Sequence, residues 1–149
     1  MTTGAESVFL DTNVLVGASV VAHPSNAVAT GLVARLADHG VDLFISPQVC
    51  REFLAVLTRG PVEGRNFSSS EAVDALDRWM SGCFLLDDSD EVLAELVMLV
   101  ARRSVRGRQV HDANVVATMI ANRIARLATL DLADFRRYED LVSLEPVTS

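Results

Sequence analysis

At 149 residues, half of them apolar, the chain is long enough for one domain with a sizeable core. No apolar run is long enough to span a bilayer, and residues 1–6 contain no basic residue, so we expect neither a membrane segment nor a signal peptide and predict a cytoplasmic protein. The net charge of −7 argues against bulk electrostatic adhesion to nucleic acid.

Strands and helices alternate along the chain. Short apolar runs bounded by turn residues predict strands at about residues 7–10, 43–45, 83–86, 126–130 and 141–144. Apolar residues three or four positions apart predict helices at about residues 13–20, 25–40, 46–59, 68–81, 89–103, 112–124 and 132–136. The alternation predicts one α/β domain over residues 1–149, with a central, mainly parallel sheet of about five strands and helices on both faces.

Several helix ends have recognisable signals. Serine side chains are expected to cap four helix starts, at Ser25, Ser46, Ser68 and Ser89. Pro47 follows one of these caps at a first helical position, and Glu71 completes a capping box with another. Gly40 and Gly107 are expected to end or break the helices before them.

Four acids stand where strands end or helices begin. Asp11 closes the apolar run at residues 8–10, Asp131 closes the run at 127–130, and Glu52 and Asp112 lie in the first turns of predicted helices. Carboxyl ends of neighbouring parallel strands share one edge of a sheet, where such folds bind ligands. Carboxylates gathered there repel one another unless a hard cation such as Mg²⁺ or Mn²⁺ joins them. The pattern therefore predicts metal-assisted hydrolysis of a phosphodiester.

Each acid also has a structural explanation when it is taken alone. Asp11 and Asp131 could cap the helices that follow them, Asp112 could interact favourably with its helix dipole, and Glu52 could be solvated. The joint position at one sheet edge favours the functional interpretation. His111, beside Asp112 on the same helix, is expected to point away from the acids rather than act as a base.

All 13 basic residues are arginines. Four of them precede the third acid within seven positions, namely Arg102, Arg103, Arg106 and Arg108. Arginine can hold phosphate oxygens by bidentate contacts, so these residues are candidates for RNA binding. The alternative is a solvated, basic helix end that interacts favourably with the helix dipole.

Four segments resemble the motifs of PIN-domain ribonucleases. Asp11–Val16 resembles their opening motif, Ser46–Phe53 the helix of the second acid, Gly107–Ala113 the segment of the third, and Thr129–Phe135 the closing motif. Their order and spacing match over almost the whole chain. Among PIN proteins the chain is most similar to VapC-type toxins of toxin–antitoxin pairs.

The resemblance implies a set of site residues and partners. Its metal-binding and catalytic acids would be Asp11, Glu52, Asp112 and Asp131, with Asp134 as a further ligand. Thr12 would orient Asp11, and Thr129 would do the same near Asp131. The expected activity is RNA hydrolysis by a water activated by Mg²⁺, for which Mn²⁺ substitutes, inhibited by a VapB-like antitoxin. A homodimer is also implied. The alternative is a non-catalytic PIN-like module that binds RNA or protein.

Other phosphate-processing classes lack their required residues here. Receiver domains and haloacid-dehalogenase-type phosphatases need a lysine, and the chain has none. The P-loop motif of NTPases is also missing. Two further features stay open: Cys50 and Cys83 are expected to be buried thiols rather than a disulfide or metal pair. Apolar helix residues could form a partner surface or ordinary core, and these are Leu32, Leu36, Val49, Phe53, Val56 and Leu57.

Overall fold

A computed structural model describes residues 6–147. The strands are β1 (Ser7–Leu10), β2 (Asp42–Ile45), β3 (Phe84–Leu85), β4 (Arg126–Ala128) and β5 (Ser143–Leu144). The helices are α1 (Thr12–Ser19), α2 (Asn26–Asp38), α3 (Pro47–Thr58), α4 (Ser69–Gly82), α5 (Asp90–Arg103), α6 (Gln109–Ala121) and α7 (Leu132–Phe135). Residues 1–5, on which the signal-peptide expectation largely rests, and residues 148–149 lie outside the described part of the chain.

The five strands form one sheet in the order β3-β2-β1-β4-β5, and every neighbouring pair is parallel. The central strand β1 is fully buried at Val8, Phe9 and Leu10 because both faces of the sheet are covered. Leu10 pairs with Ala128, which brings the carboxyl ends of β1 and β4 side by side. The predicted α/β fold with a mainly parallel sheet of about five strands is confirmed.

The strand order places a crevice between β1 and β4. The chain moves outward from β1 through β2 to β3 and then returns to β4 on the other side of β1. Because such connections are right-handed, the reversal puts α5 and α6 on the opposite face of the sheet from α1 to α4. Open α/β sheets bind ligands outside the carboxyl ends of the strands at the point of reversal. Asp11 follows β1 directly, and Asp131 follows β4 after two residues.

One glycine permits close packing beside this crevice. A Cβ atom at Gly17 would lie 3.2 Å from the Cβ of Ala29 and 3.3 Å from a methyl carbon of Leu130. Few real Cβ contacts are that short. The glycine therefore lets α1 approach both α2 and the segment that leads to Asp131.

Most predicted caps are present, but one is wrong. The hydroxyls of Ser46, Ser68 and Ser89 accept hydrogen bonds from the backbone of their helices, and Ser68 forms its capping box with Glu71. Ser25 precedes α2, but its side chain makes no capping hydrogen bond. Its backbone N–H instead donates to Nδ1 of His23 at 3.0 Å, which engages the turn before α2.

Helix α6 begins and ends three residues earlier than the predicted 112–124. Its end is set by Arg123, which adopts a positive φ of 57°, and by Ile124, whose N–H donates to the carbonyl of Met119 at 2.9 Å. This is a Schellman-type ending, in which the apolar residue after the helix folds back onto it. Ile124 is buried for that reason. Its apolar side chain fits the helical spacing of apolar residues, so the predicted helix was extended beyond its true end.

The edge strands are shorter than predicted. Strand β3 is only Phe84–Leu85, and each of these side chains is 49% exposed at the sheet edge. Strand β5 begins at Ser143 rather than at residue 141, because the N–H groups of Leu141 and Val142 both donate to the carbonyl of Tyr138 in a turn. Short edge strands limit pairing with other chains.

Two open interpretations of the sequence are resolved by burial. Five of the six apolar helix residues considered as partner surface belong to the core, namely Leu32, Leu36, Val49, Phe53 and Leu57. Core packing is therefore confirmed for them, and Val56 alone is half-buried. Cys50 and Cys83 are unbonded and half-buried, and burial raises the pKa of the Cys83 thiol to about 11. In residues 6–147 no helix is both long and apolar enough to cross a membrane.

Candidate active site

Asp11 lies where the two central strands end. Its N–H continues the sheet ladder by donating to the carbonyl of Ala128 at 3.0 Å, and its side chain caps α1 by accepting from the N–H of Thr12 at 2.8 Å. The other carboxylate oxygen accepts from the hydroxyl of Thr129 at 2.9 Å. With only 8% of its surface exposed, Asp11 is held by contacts from both strand ends.

The hydroxyl of Thr12 contacts a different acid from the one expected, whereas Thr129 contacts Asp131 as expected and Asp11 as well. The hydroxyl of Thr12 donates to a carboxylate oxygen of Glu52 at 2.8 Å and thus joins α1 to α3, whereas only its backbone contacts Asp11. The hydroxyl of Thr129 donates to Asp11, and its oxygen accepts from the N–H of Asp131 at 3.0 Å. Each threonine therefore contacts an acid that lies on another element of the fold.

Asn13 is a site residue that the sequence reading missed. Its amide NH₂ donates to Asp131 at 3.0 Å and to the hydroxyl oxygen of Thr129 at 3.2 Å, while its carbonyl oxygen accepts from the N–H of Leu130 at 3.0 Å. The side chain thereby ties the start of α1 to the segment after β4. Its place two residues after Asp11, in the stretch resembling the opening motif, was the available signal.

Asp112 reaches the same edge from the first turn of α6. Gln48 of α3 fixes this turn, because its amide donates to the backbone carbonyl of His111 at 2.9 Å and accepts from the side chain of Asn114 at 2.8 Å. Gln48 is buried, so these bonds are shielded from water. They hold α6 and α3 together beside the acids.

The four main acids line one cleft. We call it the acidic cleft: it has a volume of about 440 Å³ and contains Asp11, Glu52, Asp112 and Asp131 in its wall. Asp134 lies outside it and lines an adjoining hollow that shares the last three acids. His111 is exposed and lines that hollow beside three of the main acids, so the expectation that it points away from the acids holds only for Asp11.

Burial and mutual repulsion make two of these carboxylates hard to ionise. Burial raises the pKa of Asp11 to about 7, with further increases from Asp112 and Glu52 that the hydrogen bonds from Thr129 and Thr12 oppose. Burial also raises the pKa of Asp112 to about 6, with smaller contributions from Asp134, Asp131 and Glu52. The acids therefore interact as one group, and a cation among them would relieve the repulsion.

The donor set of the acidic cleft fits a hard divalent cation. Its candidate ligands are carboxylate oxygens, which Mg²⁺ and Mn²⁺ prefer. Among residues 6–147, no three acidic, histidine or cysteine side chains form a ready-made ligand group for one metal ion. This is compatible with Mg²⁺, which commonly keeps several waters and binds one or two carboxylates together with substrate phosphates.

The structure separates the four arginines that were grouped in the sequence. Arg108 lines the acidic cleft, but Arg102, Arg103 and Arg106 do not. Arg103 instead donates to both carboxylate oxygens of Asp140 and to the backbone carbonyl of Arg137. A bidentate ion pair engages its guanidinium, so Arg103 is the least suited of the four to hold RNA.

Arg59, at the end of α3, lines the acidic cleft although the sequence reading had not selected it. It stands seven residues after Glu52, a separation that returns to the same helix face. That spacing was the signal available in the sequence. The cleft therefore has two arginines among its wall residues, Arg59 and Arg108.

Comparison with known families agrees with this geometry. A model of the PIN domain matches residues 8–141, which include all the acids described above. The chain belongs to the PIN domain family. The resemblance found in the sequence motifs is thus confirmed at the level of the family. No curated protein sequence matches the chain.

Several solved structures share this fold. VapBC2 from Rickettsia felis, bound to a DNA fragment from its promoter, is 22% identical, with a TM-score of 0.69 over 93% of this chain and 97% of that chain. The sarcin–ricin loop cleaving toxin VapC20 from Mycobacterium tuberculosis is 18% identical, with a TM-score of 0.69 over 93% and 99%. FitAcB from Neisseria gonorrhoeae is 14% identical, with a TM-score of 0.62 over 93% and 96%. The PIN fold of VapC toxins is therefore the fold of this chain.

Proposed function

We propose that this protein is a VapC-like toxin that hydrolyses RNA phosphodiester bonds with the help of Mg²⁺ or Mn²⁺. The observation that carries the proposal is the convergence of four acids from separate elements on one cleft. A fold alone does not specify an activity, but carboxylates crowded at a sheet edge are costly unless they serve a cation. The raised pKa values of Asp11 and Asp112 are in keeping with that cost.

A bound divalent cation would supply an activated water and offset negative charge on the phosphate oxygens. In this proposal the cation binds among Asp11, Glu52, Asp112 and Asp131, through one or two carboxylates directly and through water to the others, and Asp134 contributes from the adjoining hollow. Thr129 and Thr12 keep Asp11 and Glu52 in place through the hydrogen bonds described above. Asn13 does the same for Asp131. This second layer fixes the acids before substrate arrives.

RNA approaching an acidic protein needs local positive charge. Arg108 is the member of the 102–108 group best placed to give it, since it lines both the acidic cleft and the adjoining hollow. Arg102 and Arg106 are exposed and could contact RNA only beyond the cleft. We therefore assign RNA binding mainly to Arg108.

The proposed partners are a VapB-like antitoxin, which would inhibit the site, and a second copy of the chain. Support for the antitoxin comes from the structural neighbours, several of which are VapBC complexes. For a homodimer, α5 offers an apolar surface in which Leu93 is 60% and Val97 59% exposed. A cytoplasmic location is part of the same proposal, because the RNA substrate would be met there.

The alternative function is a PIN-like module that binds RNA or protein without cleaving it. The presence of every acid of the proposed site favours the enzyme, since a binding module would have no need for four carboxylates that repel one another. Both functions allow RNA binding. Only the enzyme requires a divalent metal for strand cleavage.

The test is cleavage of labelled single-stranded RNA by the purified protein. We expect EDTA to stop cleavage and added Mg²⁺ or Mn²⁺ to restore it, while Ca²⁺ fails because it prefers a longer, looser coordination shell. Asp74→Asn, an exposed acid on α4, is the matched control and should cleave like the wild type. Cleavage that persists in EDTA would contradict the metal mechanism, and no cleavage with any of the three ions would favour the binding module.

A further inference from the structure

The acidic cleft extends along α3 beyond its acids. Four residues of this segment face it at spacings of three or four, and they are Glu52, Ala55, Val56 and Arg59. Such spacing places them in a row on one side of a helix. From Glu52 to Arg59 the helix rises roughly 10 Å. The row therefore begins at the acid Glu52 and ends at the guanidinium of Arg59.

The middle of this row is an apolar wall. Ala55 is exposed and Val56 is half-buried, so both present aliphatic surface to the cleft. Val16 of α1 lines the same cleft and supplies further aliphatic surface. We call Val16, Ala55 and Val56 the apolar wall. Along α3, Ala55 and Val56 lie between Glu52 and Arg59, so this side of the cleft changes from acidic through apolar to basic.

The guanidinium of Arg59 has no internal partner. Within residues 6–147, its side chain takes part in no hydrogen bond and no ion pair, although Glu52 lies on the same helix face. Arg103, Arg126 and Arg65, by contrast, each contact a carboxylate. His23 also lines the cleft, and its ring Nδ1 accepts a hydrogen bond from the backbone N–H of Ser25. Arg59 is thus available for an external anion.

We propose that the apolar wall and Arg59 form an RNA subsite, in which one unstacked nucleobase lies against the wall and Arg59 binds the backbone phosphate beyond it. The inference rests on the proposed function, which puts the scissile phosphate at the acids. The order along the cleft matches the order along an RNA strand. The acids would hold the scissile phosphate through a metal ion, the apolar wall would contact the nucleoside, and the arginine would bind the next phosphate. Single-stranded RNA is recognised through such splayed bases, whose faces are apolar.

The size of the cleft agrees with this occupant. About 440 Å³ lies within the range of pockets that enclose a small ligand, and one nucleotide is a ligand of that class. The subsite would make cleavage depend on one unpaired nucleotide next to the cut. None of the three residues of the apolar wall has a polar side chain that could read base edges. The subsite would therefore select single strands over duplexes rather than one base over another.

The charge test compares two arginines of one helix. Binding of a short, labelled oligouridine is measured by fluorescence anisotropy at several salt concentrations with Mg²⁺, in an Asp11→Asn background that prevents cleavage. We expect Arg59→Ala to weaken binding about fivefold and to reduce the salt slope by about 0.7, the change for one phosphate contact on a single strand. Arg51→Ala, an exposed arginine outside the cleft, should change neither.

The base test uses oligouridines with one abasic nucleotide at successive positions. We expect one position to weaken binding more than its neighbours, and this difference to vanish in Ala55→Glu, which puts a carboxylate in the apolar wall. Ala55 is exposed on α3, so the substitution spares the core, and circular dichroism would verify the fold. Loss of the difference in the variant is the signature of a direct contact.

Each outcome has a distinct meaning. If Arg59→Ala and Arg51→Ala bind RNA equally, or if all abasic positions weaken binding alike, the subsite is refuted. A wall that served only a protein partner would give these same results. Because these are binding measurements, they stand apart from the cleavage assay. A protein that binds as expected but never cleaves would contradict the proposed function alone.

Discussion

Two regions of this molecule use the same residue types in opposite ways. Around Tyr138, Arg103 pairs with Asp140 and Arg137 donates to the carbonyl of Arg103, while both guanidinium groups lie over the Tyr138 ring. In the acidic cleft, Asp11 has no cationic partner, and Arg59 and Arg108 face the same space without an ion pair in the described residues.

The pKa values express this contrast. The hydrogen bond from Arg103 lowers the pKa of Asp140, whereas burial raises the pKa of Asp11 to about 7. Charges at the Tyr138 region satisfy one another and hold the C-terminal segment to α5. Charges in the cleft have no such partners within the described residues, and our proposal assigns them to an external cation and an external anion. The arginine-rich sequence before Asp112 is therefore partly structural, and the unpaired charge that often marks a functional site lies in the acidic cleft.

The largest expected effect is on catalysis at Asp11. Asp11→Asn should lower RNA cleavage by at least about 100-fold, because a metal ligand contributes several kcal/mol to stabilising the transition state. The fold should stay intact, and thermal stability without metal should hold or rise as repulsion is relieved. Asp140→Asn, in the region of paired charges, should cleave like the wild type. Wild-type cleavage by Asp11→Asn would remove Asp11 from the site.

The next effect concerns the hydroxyl that holds Asp11. Thr129→Val keeps the shape of a fully buried side chain but removes its hydrogen bond to Asp11. We expect cleavage to fall about 10- to 100-fold, as is typical when a residue supporting a metal ligand is lost. Excess Mn²⁺ should restore part of the rate. A loss of rate that Mn²⁺ does not relieve, together with a lower melting temperature, would point to a purely structural role.

A third prediction concerns stability against pH in the metal-free protein. The folded pKa of Asp11, about 7, exceeds its ordinary value of 3.8, so the folded state binds more protons than the unfolded state between these limits. The free energy of unfolding should therefore fall as pH rises from about 4 to about 7, by an amount on the order of 2–4 kcal/mol.

The pH effect can be assigned with two variants in urea unfolding. Asp11→Asn should remove most of the decline, because the titrating group is gone. Asp140→Asn should keep the decline. The pKa of Asp140 is lowered, so its pairing with Arg103 is lost only as pH falls below the ordinary pKa of an aspartate, outside the range from about 4 to about 7. Identical pH curves for Asp11→Asn and the wild type would assign the decline to other groups.

The smallest effects separate the arginines. Arg108→Ala should weaken binding of single-stranded RNA a few-fold and leave the melting temperature unchanged. Arg103→Ala should do the reverse, lowering the melting temperature by about 2–4 °C while RNA binding is kept. Anisotropy and thermal melts on both variants would check this. Equal losses of RNA binding would restore Arg103 to the RNA-binding group.

Much of this arrangement could be predicted from local sequence. Apolar runs, serine caps and their alternation gave the parallel sheet, because these depend on neighbouring residues and on general rules of chain connection. The sequence argument assumed that the strands before Asp11 and Asp131 are neighbours, and the strand order confirms it. The family motifs located Glu52 and Asp112 on helices beside the same edge.

Contacts between distant segments could not be predicted in this way. The hydroxyl of Thr12 contacts Glu52 instead of the expected Asp11, and Arg103 pairs with Asp140, which lies 37 positions away. Side-chain direction and helix packing decide such contacts. Asn13 bridges to Asp131 for the same reason. Arg59 could have been predicted, because its spacing of seven residues from Glu52 places both on one helix face. For the apolar helix residues the sequence left partner surface and core as alternatives, because an apolar period alone does not distinguish core residues from an exposed face.

The most direct test of the central claim is calorimetric titration of Mn²⁺ into the wild type, Asp11→Asn and Asp140→Asn at pH 7.5 and pH 5.5. We expect the wild type and Asp140→Asn to bind Mn²⁺ alike at pH 7.5. Both should bind about tenfold or more weakly at pH 5.5, which lies below the raised pKa values of Asp11 and Asp112, so that protons compete with the metal. Asp11→Asn should bind weakly at both values. Equal Mn²⁺ affinity in Asp11→Asn and the wild type at pH 7.5 would contradict the claim that this cleft is the metal site.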